Sequence, residues 1–218
     1  GVTPKQLNLQ ICLQNAIQTL AEKPDLLSRP PMALVTNALE AVRNHFRYED
    51  LFSCLKTGLA GLDWDEIDKL ENYVLTWNIR GGAWERDWTE HPEGYGLSID
   101  ENAKAQLAEL NTLRKRAIAP FSALREALAG EQPAGDCVRA LYAFLLAVDA
   151  PQRMIDRAAG HEQAGRLQLA DEYRQLWEIL VSAMEQFAWV CGDMPLTLDR
   201  FAQLFRLVLG EYDVGTIP

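Results

Sequence analysis

Carboxylates clustered after Gly61 are the side chains in this sequence best suited to binding a cation. Asp63, Asp65, Glu66 and Asp68 lie close together, as cation ligands often do. The segment lacks the central glycine and the closing bidentate glutamate of an EF-hand loop. Because negative charge stabilises a helix N-terminus by itself, we interpret the cluster as the first turn of a helix. A small helical enzyme with a metal at this cluster is an alternative that calorimetry with divalent cations would test.

Lys56-Thr57-Gly58 contains letters found in nucleotide-binding loops, but its surroundings do not fit such a loop. A phosphate-binding loop places a glycine-rich turn before the lysine, so that backbone N–H groups point at the phosphates. No such turn precedes Lys56. We therefore interpret this lysine as a cation that complements the dipole at the end of a helix.

The histidines and cysteines form no recognisable metal motif. His161-Glu162 has no second histidine four residues after the first, as a helical zinc site requires, and His45 and His91 stand apart. The cysteines contain no C-x-x-C pair, and we predict that they are buried free thiols: Cys12, Cys54, Cys137 and Cys191. We therefore predict no catalytic residue, no metal ligand and no cofactor in this chain.

The basic run Arg114-Lys115-Arg116 is a candidate DNA contact. The chain has 31 acidic against 21 basic residues and a formal charge of −10. Such a surface is unsuited to coating a DNA backbone as a whole, so any contact would be local. A solvated basic turn is the alternative.

A glycine-rich aromatic stretch between residues 80 and 97 is a second candidate nucleic-acid contact. Trp84, Trp88 and Tyr95, together with Arg80 and Arg86, could stack on single-stranded bases. Aromatic rings that close a hydrophobic core are the alternative. Helical periodicity is absent here, so we predict a loop with at most one helical turn.

Amphipathic helices must position all of these candidates. Hydrophobic residues make up 48% of the chain and charged residues 24%, which is typical of a folded domain. No apolar run approaches the roughly 18 residues of a membrane-spanning helix, and we expect a cytoplasmic protein. Apolar residues recur at helical spacing over residues 7–20, 34–42, 48–59, 67–77, 107–128, 138–148, 162–190 and 198–209. We predict an all-α fold, an irregular bundle of about seven to nine helices.

Specific residues predict where some of these helices begin or break. Asp63 with Glu66, and Ser98 with Glu101, have the spacing of capping boxes. Pro120 falls inside the apolar stripe of residues 107–128 and lacks a backbone N–H, so it predicts a kink or a break there. Residues 149–151 are predicted to end the helix over 138–148.

Four short strings within residues 46–84 share their order with one bacterial family. Their order matches the series Y-E-D-x-F, L-K-T-G-L, D-x-L-E-N-Y and G-x-W. The strings are Phe46-Arg47-Tyr48-Glu49-Asp50-Leu51-Phe52, Leu55-Lys56-Thr57-Gly58-Leu59, Asp65-Glu66-Ile67-Asp68-Lys69-Leu70-Glu71-Asn72-Tyr73-Val74-Leu75 and Ile79-Arg80-Gly81-Gly82-Ala83-Trp84. The chain thereby resembles AddB (RexB-like), a component of the bacterial AddAB helicase–nuclease. The family-motif residues, taken as structural, are Lys56, Thr57, Gly58, Leu59, Leu70, Glu71, Asn72, Tyr73 and Trp84.

The resemblance implies a role within a larger protein. It covers residues 23–218, which are similar to the helical insertion subdomain called 2B in the second helicase-like lobe, and it leaves residues 1–22 as a separate N-terminal helical segment. The family's nucleotide-binding loop, nuclease carboxylates and iron–sulfur cysteines lie outside the matched stretch. ATP, magnesium and an iron–sulfur cluster are thus implied for the parent protein only. The implied partners are an AddA-like helicase–nuclease subunit and duplex DNA, with no membrane.

The leading hypothesis is a non-catalytic structural subdomain that contacts DNA or a partner, in a parent protein that processes double-strand ends for recombinational repair. A free-standing helical adaptor that binds another protein through an exposed apolar groove is the main alternative. The flanking reading frame distinguishes the two, because only a subdomain would continue into helicase and nuclease motifs.

Overall fold

Nine α-helices and one small sheet make up the regular structure of residues 25–211, the part of the chain that the computed structural model describes. The elements are α1 (Asp25–Ser28), α2 (Pro30–Arg43), α3 (Tyr48–Leu55), α4 (Trp64–Trp77), a 3₁₀ turn (Gly81–Glu85), α5 (Glu101–Ala127), β1 (Glu131–Pro133), α6 (Ala134–Ala147), α7 (Ala150–Gln163), α8 (Leu167–Cys191), β2 (Pro195–Thr197) and α9 (Leu198–Gly210). The all-α prediction is confirmed. The helix predicted over 7–20 lies outside the described residues. Within residues 25–211, no helix combines the length and apolar character needed to cross a bilayer.

Helix α2 lies at the centre of the bundle. It contacts α1, α3, α5, α8 and α9. A helix that is apolar around most of its circumference is stable only when it is covered on most sides. Helix α2 has this character, because its buried residues are Pro31, Met32, Leu34, Val35, Thr36, Ala38, Leu39, Ala41 and Val42. The remaining helices are therefore arranged around it.

Aromatic side chains fill the core between the C-terminal helices. Phe187 of α8 packs edge-on against Phe201 and Phe205 of α9, with ring centroids 5.5 and 5.6 Å apart. Phe121 of α5 meets Phe144 of α6 at 5.0 Å. Such edge-to-face pairs stabilise a core beyond the area that they bury, and here they join α8 to α9 and α5 to α6.

Helix α7 is an element that the sequence did not predict. The residues that were taken as the end of the preceding helix instead begin α7, with Asp149 in the left-handed region at φ 57° and Pro151 in the first turn. Proline is tolerated there because the first helical N–H groups have no intrahelical acceptor. Only Ala150, Met154 and Ala158 are buried in α7, so its apolar stripe was too narrow to detect.

Helix α5 runs unbroken from Glu101 to Ala127 with Pro120 inside it. Of the predicted kink or break, the break is therefore wrong. Proline removes one hydrogen bond from the helix ladder, but Ala117, Ile118 and Phe121 are buried on both sides of it. Burial of this face against the core offsets the lost bond.

The two strands of the small sheet were also not predicted. β1 and β2 pair antiparallel, with Glu131 opposite Thr197 and Pro133 opposite Pro195. Each strand has three residues and contains a proline, so neither shows an alternating pattern. The pairing joins segments more than sixty residues apart, which a local pattern cannot reveal.

The capping predictions were half correct. The box at the start of α4 is present, and the Asp63 amide donates to Glu66 Oε2 at 3.0 Å. At the start of α5 the cap is Asp100, not Ser98, because Asp100 Oδ1 accepts from the Ala103 amide at 2.8 Å. The shift arises because α5 begins two residues later than the box at Ser98 requires.

We expect Asp100→Ala to lower the free energy of unfolding by about 1 kcal/mol, because it removes the acceptor for an otherwise unpaired helix amide. The matched control is Ser98→Ala, which should change it by less than about 0.5 kcal/mol. Urea unfolding followed by circular dichroism measures both. An equal loss in the two variants would contradict the assignment of the cap to Asp100.

Candidate functional site

Three of the family strings converge on the carboxylate of Glu71. Glu71 Oε1 accepts from the Tyr48 hydroxyl at 2.6 Å and from Lys56 Nζ at 2.6 Å. Tyr48 lies at the start of α3, Lys56 at its end and Glu71 in the middle of α4. The Glu71 side chain is only 14% exposed. Its two charge-assisted hydrogen bonds therefore join α3 to α4 where solvent competes little with them.

Burial of Glu71 acts to raise the pKa of its carboxyl, but the hydrogen bonds from Lys56 and Tyr48 and the charge of Lys56 outweigh burial and lower it. A lowered pKa in the folded state means that the unfolded chain binds more protons as the pH falls. The contribution of Glu71 to stability is therefore present above its ordinary pKa of about 4.5 and is lost at lower pH.

The rest of the L-E-N-Y string divides between core and surface. Leu70 is fully buried and Asn72 is exposed. Tyr73 stacks flat on Trp88, with ring centroids 4.6 Å apart and planes 8° apart. Its hydroxyl donates to the Glu90 carbonyl and accepts from the Glu90 amide, both at 3.1 Å. Burial raises the pKa of Tyr73 to about 12. This tyrosine fixes the loop after the 3₁₀ turn against α4.

The tryptophans of the loop face the core. Trp84 is fully buried and Trp88 is 5% exposed, so neither ring is available to stack on a nucleic-acid base in this conformation, and for these two residues that interpretation is wrong. Tyr95 is 73% exposed, but its hydroxyl donates to the Thr76 carbonyl at 3.1 Å and its ring lies 4.3 Å from that of Trp77. The alternative interpretation, aromatic rings that close a core, is confirmed for the two tryptophans.

Arg114 is buried beneath this loop and is 2% exposed. Its Nη1 donates to the Trp84 carbonyl at 2.7 Å and its Nη2 to Asp87 Oδ1 at 2.6 Å. Its Nε donates to Asn111 Oδ1 at 3.1 Å. The planar guanidinium therefore uses each nitrogen inside the molecule, which a lysine could not do.

Asn111 completes this arrangement and was missed by the sequence analysis. Its Oδ1 accepts from the Trp88 amide at 2.8 Å and its Nδ2 donates to the Trp88 carbonyl at 2.9 Å. We call Asn111 and Arg114 the loop clamp. A signal was present, because both polar residues fall at helical spacing within the apolar stripe that includes Leu107 and Ala117. Polar residues on a buried face need partners.

The predicted DNA contact at residues 114–116 is therefore not a single surface. Arg114 is the correction, since its guanidinium is buried and paired. Lys115 is exposed and lies 3.2 Å from Asp87 Oδ1. Arg116 points towards α4, where it forms an ion pair with Glu66. The run is divided because consecutive helical residues point about 100° apart.

The L-K-T-G-L string ends α3 and packs against α7. Thr57 Oγ1 donates to the Cys54 carbonyl at 2.8 Å, and the Thr57 carbonyl accepts from Arg157 Nη2 at 3.0 Å. Gly58 has a φ of 70°, and a Cβ atom there would overlap with Arg157 Nη2. Leu59 is fully buried. Glycine is thus favoured by its left-handed backbone, and a side chain at this position would displace the Arg157 guanidinium from the Thr57 carbonyl.

The acidic cluster lies at the N-terminus of α4, as predicted. Glu66 pairs with Arg116, and Asp63 lies 3.6 Å from Arg153 of α7. Burial of Glu66 acts to raise its pKa, but the Arg116 hydrogen bond and the capping bond lower it overall. Within residues 25–211, no group of three or more His, Cys, Asp or Glu side chains has the geometry of a metal site.

The thiols of Cys54, Cys137 and Cys191 are buried and unpaired, which confirms the prediction for these three. Burial raises the pKa of Cys137 and Cys191 to about 11 and that of Cys54 further. Thiolate formation is thus suppressed at neutral pH. Cys12 lies outside the described residues.

We expect Arg114→Met to lower the free energy of unfolding by about 2–4 kcal/mol, because it leaves the buried Trp84 carbonyl without this donor and removes one of the two donors to Asn111 Oδ1. Arg114→Lys should recover only part of this loss. Lys115→Met, the matched control on the exposed side, should cost less than about 0.5 kcal/mol. Chemical unfolding measures all three, and similar losses for Met at the two positions would refute the clamp.

Gly58→Ala should cost about 1 kcal/mol more than Gly96→Ala. Both glycines have positive φ, at 70° and 78°, but only a Cβ at Gly58 meets Arg157. In an Arg157→Ala background the excess should vanish, because the overlapping atoms are gone. A double-mutant cycle followed by thermal unfolding measures the coupling. An excess that persists without Arg157 would exclude the proposed contact.

Comparison with known proteins identifies relatives that share most of this chain. No protein-family model matches the chain. The AddB-type ATP-dependent helicase/deoxyribonuclease subunit of Acetivibrio thermocellus is 34% identical over 200 residues, and the proteins of the same name from Ruminiclostridium cellulolyticum and Clostridioides difficile are 34% and 32% identical over 202 and 199 residues. Each match covers 90% of this chain, and the chain spans 17% of each relative's length.

The AddB resemblance of the four strings is thus confirmed by overall identity. The matches extend far beyond residues 46–84. Over 90% of its length, the chain is therefore similar to a segment of the AddB-type ATP-dependent helicase/deoxyribonuclease subunits.

Proposed function

We propose that this chain is a non-catalytic structural subdomain of an AddB-like protein, corresponding to the helical 2B insertion, that positions neighbouring parts of a cytoplasmic helicase–nuclease acting in double-strand break repair by recombination. One observation carries the proposal: the polar motif side chains other than Asn72 are engaged within the fold. Lys56 and Tyr48 are bound to Glu71, and Thr57 to the Cys54 carbonyl. Groups used in this way hold helices together.

The same observation counts against a nucleotide site at residues 56–58. A phosphate-binding loop needs free backbone N–H groups and a lysine that can reach the phosphates. Lys56 instead forms an ion pair with Glu71 at 2.6 Å, and the Gly58 amide donates to the Leu55 carbonyl at 3.1 Å. The residues of this string end α3 and contact α7.

The wider activities belong to the parent protein in this proposal. The relatives are named as one subunit of an ATP-dependent helicase/deoxyribonuclease, a name that implies a partner subunit and DNA. We assign ATP, magnesium and an iron–sulfur cluster to other parts of the parent, and we take an AddA-like subunit and duplex DNA as its partners.

We expect the 218-residue chain to leave ATP unhydrolysed and linear duplex DNA intact when magnesium is present. Luciferase-coupled ATP measurement and gel analysis of end-labelled duplex test this, with the complete parent protein and its partner as the positive control. Robust metal-dependent cleavage by the chain alone would refute the proposal.

In the complete complex, Glu71→Gln should lower the thermal midpoint but leave the turnover number within about twofold of the unaltered complex, because a structural contact acts on stability rather than on chemistry. The amide keeps an acceptor for Tyr48 but loses the ion pair with Lys56. Loss of a group that acts in chemistry would instead reduce turnover by about a hundredfold or more, which would overturn the structural assignment.

A free-standing adaptor is the second candidate, and one feature favours it. Helices α7 and α8 enclose a groove of about 210 Å³ lined by Met154, Ile155 and Trp177, and Ile155 is 60% exposed. Exposed apolar grooves of this kind accept side chains of partner proteins. The flanking reading frame separates the two candidates, because an adaptor would not continue into helicase and nuclease motifs.

A further inference from the structure

Helix α9 carries two arginines, Arg200 and Arg206. Neither forms an ion pair with a carboxylate within residues 25–211. Among the described residues, Arg200 Nη1 donates to Gln203 Oε1 at 2.9 Å. Arg206 forms no hydrogen bond or ion pair in the described part of the chain, and both arginines are exposed. Arg200, Gln203 and Arg206 follow one another at three-residue spacing, so they share the outer face of α9.

This face of α9 and the C-terminal end of α2 enclose an open cleft of about 620 Å³. Arg43 of α2 spans it, with Nη1 3.1 Å from Glu40 Oε1 and Nε 2.6 Å from Asp199 Oδ1. Arg43 thereby pairs with both carboxylates of the cleft, offsets one of their two charges and fixes its two walls relative to each other. The three guanidinium groups leave the cleft with one net positive charge, and neither Arg200 nor Arg206 is held by a carboxylate within residues 25–211.

Two other clefts in the described part of the chain lack this excess of positive charge. The cleft between α4 and α7 is lined by two arginines and four aspartates: Arg153, Arg157, Asp63, Asp65, Asp149 and Asp156. The groove between α7 and α8 has one arginine and one glutamate. In a chain of formal charge −10, a cleft with three guanidinium groups against two carboxylates stands out electrostatically.

The lining of the cleft indicates the chemistry of its ligand. The other lining residues are Thr197, Ala202 and Gln203, of which only Ala202 is apolar, and it is buried. A protein partner normally needs an apolar anchor at the centre of its contact. Guanidinium and amide donors without such an anchor match phosphate oxygens, which arginine binds bidentately.

We propose that Arg200 and Arg206 bind phosphates of a duplex DNA backbone in this cleft, a proposal that rests on the DNA-processing role of the parent protein. Six helical residues span about 9 Å, which exceeds the roughly 3.4 Å of duplex axis that each nucleotide of one strand adds. The two arginines can thus hold separate phosphates. Contacts of this kind position a duplex without reading its sequence.

The test is binding of a fluorescein-labelled linear duplex to the 218-residue chain at low salt, followed by fluorescence anisotropy. The double variant Arg200→Glu, Arg206→Glu should bind about tenfold or more weakly, and the slope of log affinity against log salt should fall by about two. The double variant Arg200→Lys, Arg206→Lys keeps both charges and should retain most of the affinity.

The matched control is the double variant Lys104→Glu, Arg166→Glu. Both of these basic residues are exposed, and neither lines the cleft or belongs to a candidate nucleic-acid contact. The control changes the net charge equally and should stay within about twofold of the unaltered chain, because it removes no phosphate contact in the cleft. Circular dichroism melts confirm that all variants fold. Equal losses in the two charge-reversal variants would overturn the proposal.

Two further results would also overturn it. Absence of DNA binding by the unaltered chain at low salt is the first. The second is displacement of the duplex by polyglutamate at the same charge concentration as by unlabelled duplex, which would assign the cleft to an acidic protein surface. In either case a chain that neither hydrolyses ATP nor cleaves DNA would leave the structural role in the parent intact, so the two proposals fail separately.

Discussion

Burial of the Arg114 guanidinium is the constraint on which the N-terminal half of the bundle depends. A charge that is 2% exposed must be paired and hydrogen-bonded to be tolerated. Its hydrogen-bond partners among the described residues belong to the irregular segment after α4 and to Asn111. The segment that brings Trp84 and Trp88 into the core is therefore held in place by hydrogen bonds to its backbone, because it has little regular secondary structure of its own.

The Glu71 contacts serve the same purpose on the other side of that segment. Tyr48 and Lys56 join α3 to α4 through the Glu71 carboxylate. Tyr73, also on α4, donates a hydrogen bond to the Glu90 carbonyl of the loop. The family strings thus mark a continuous set of contacts between α3, α4, the loop and α5. Lysine, glutamate and tyrosine side chains, which often act in catalysis, here join helices to one another. This is consistent with a subdomain that positions neighbouring domains. The arginines that we propose to bind DNA phosphates, Arg200 and Arg206, lie instead where α9 contacts α2.

Local signals predicted most helices correctly, and the failures have identifiable causes. Apolar residues at spacings of three and four located α2, α4, α6, α8 and α9, because each of these helices buries a wide stripe. Helix α7 buries only three residues and was missed. The break predicted at Pro120 did not occur, because burial on both sides of the proline outweighs one absent hydrogen bond. The four strings were sufficient to indicate the family, since order and spacing survive where overall identity is about one third.

The sequence by itself determined the all-α class, the three buried thiols of residues 25–211, the acidic charge and the resemblance to AddB-type proteins, because these follow from composition, periodicity and short strings. Only the tertiary structure decided which arginine is buried and which arginines share a cleft. Arg114 and Lys115 are neighbours in the chain, but the Arg114 side chain is 2% exposed and the Lys115 side chain is 64% exposed. Adjacent positions on a helix face different surroundings. Arg43 and Arg206 lie far apart in the chain, and they line one cleft because α9 packs across the end of α2. Electrostatic sites of this kind depend on distances between elements, and no local pattern in the sequence encodes those distances.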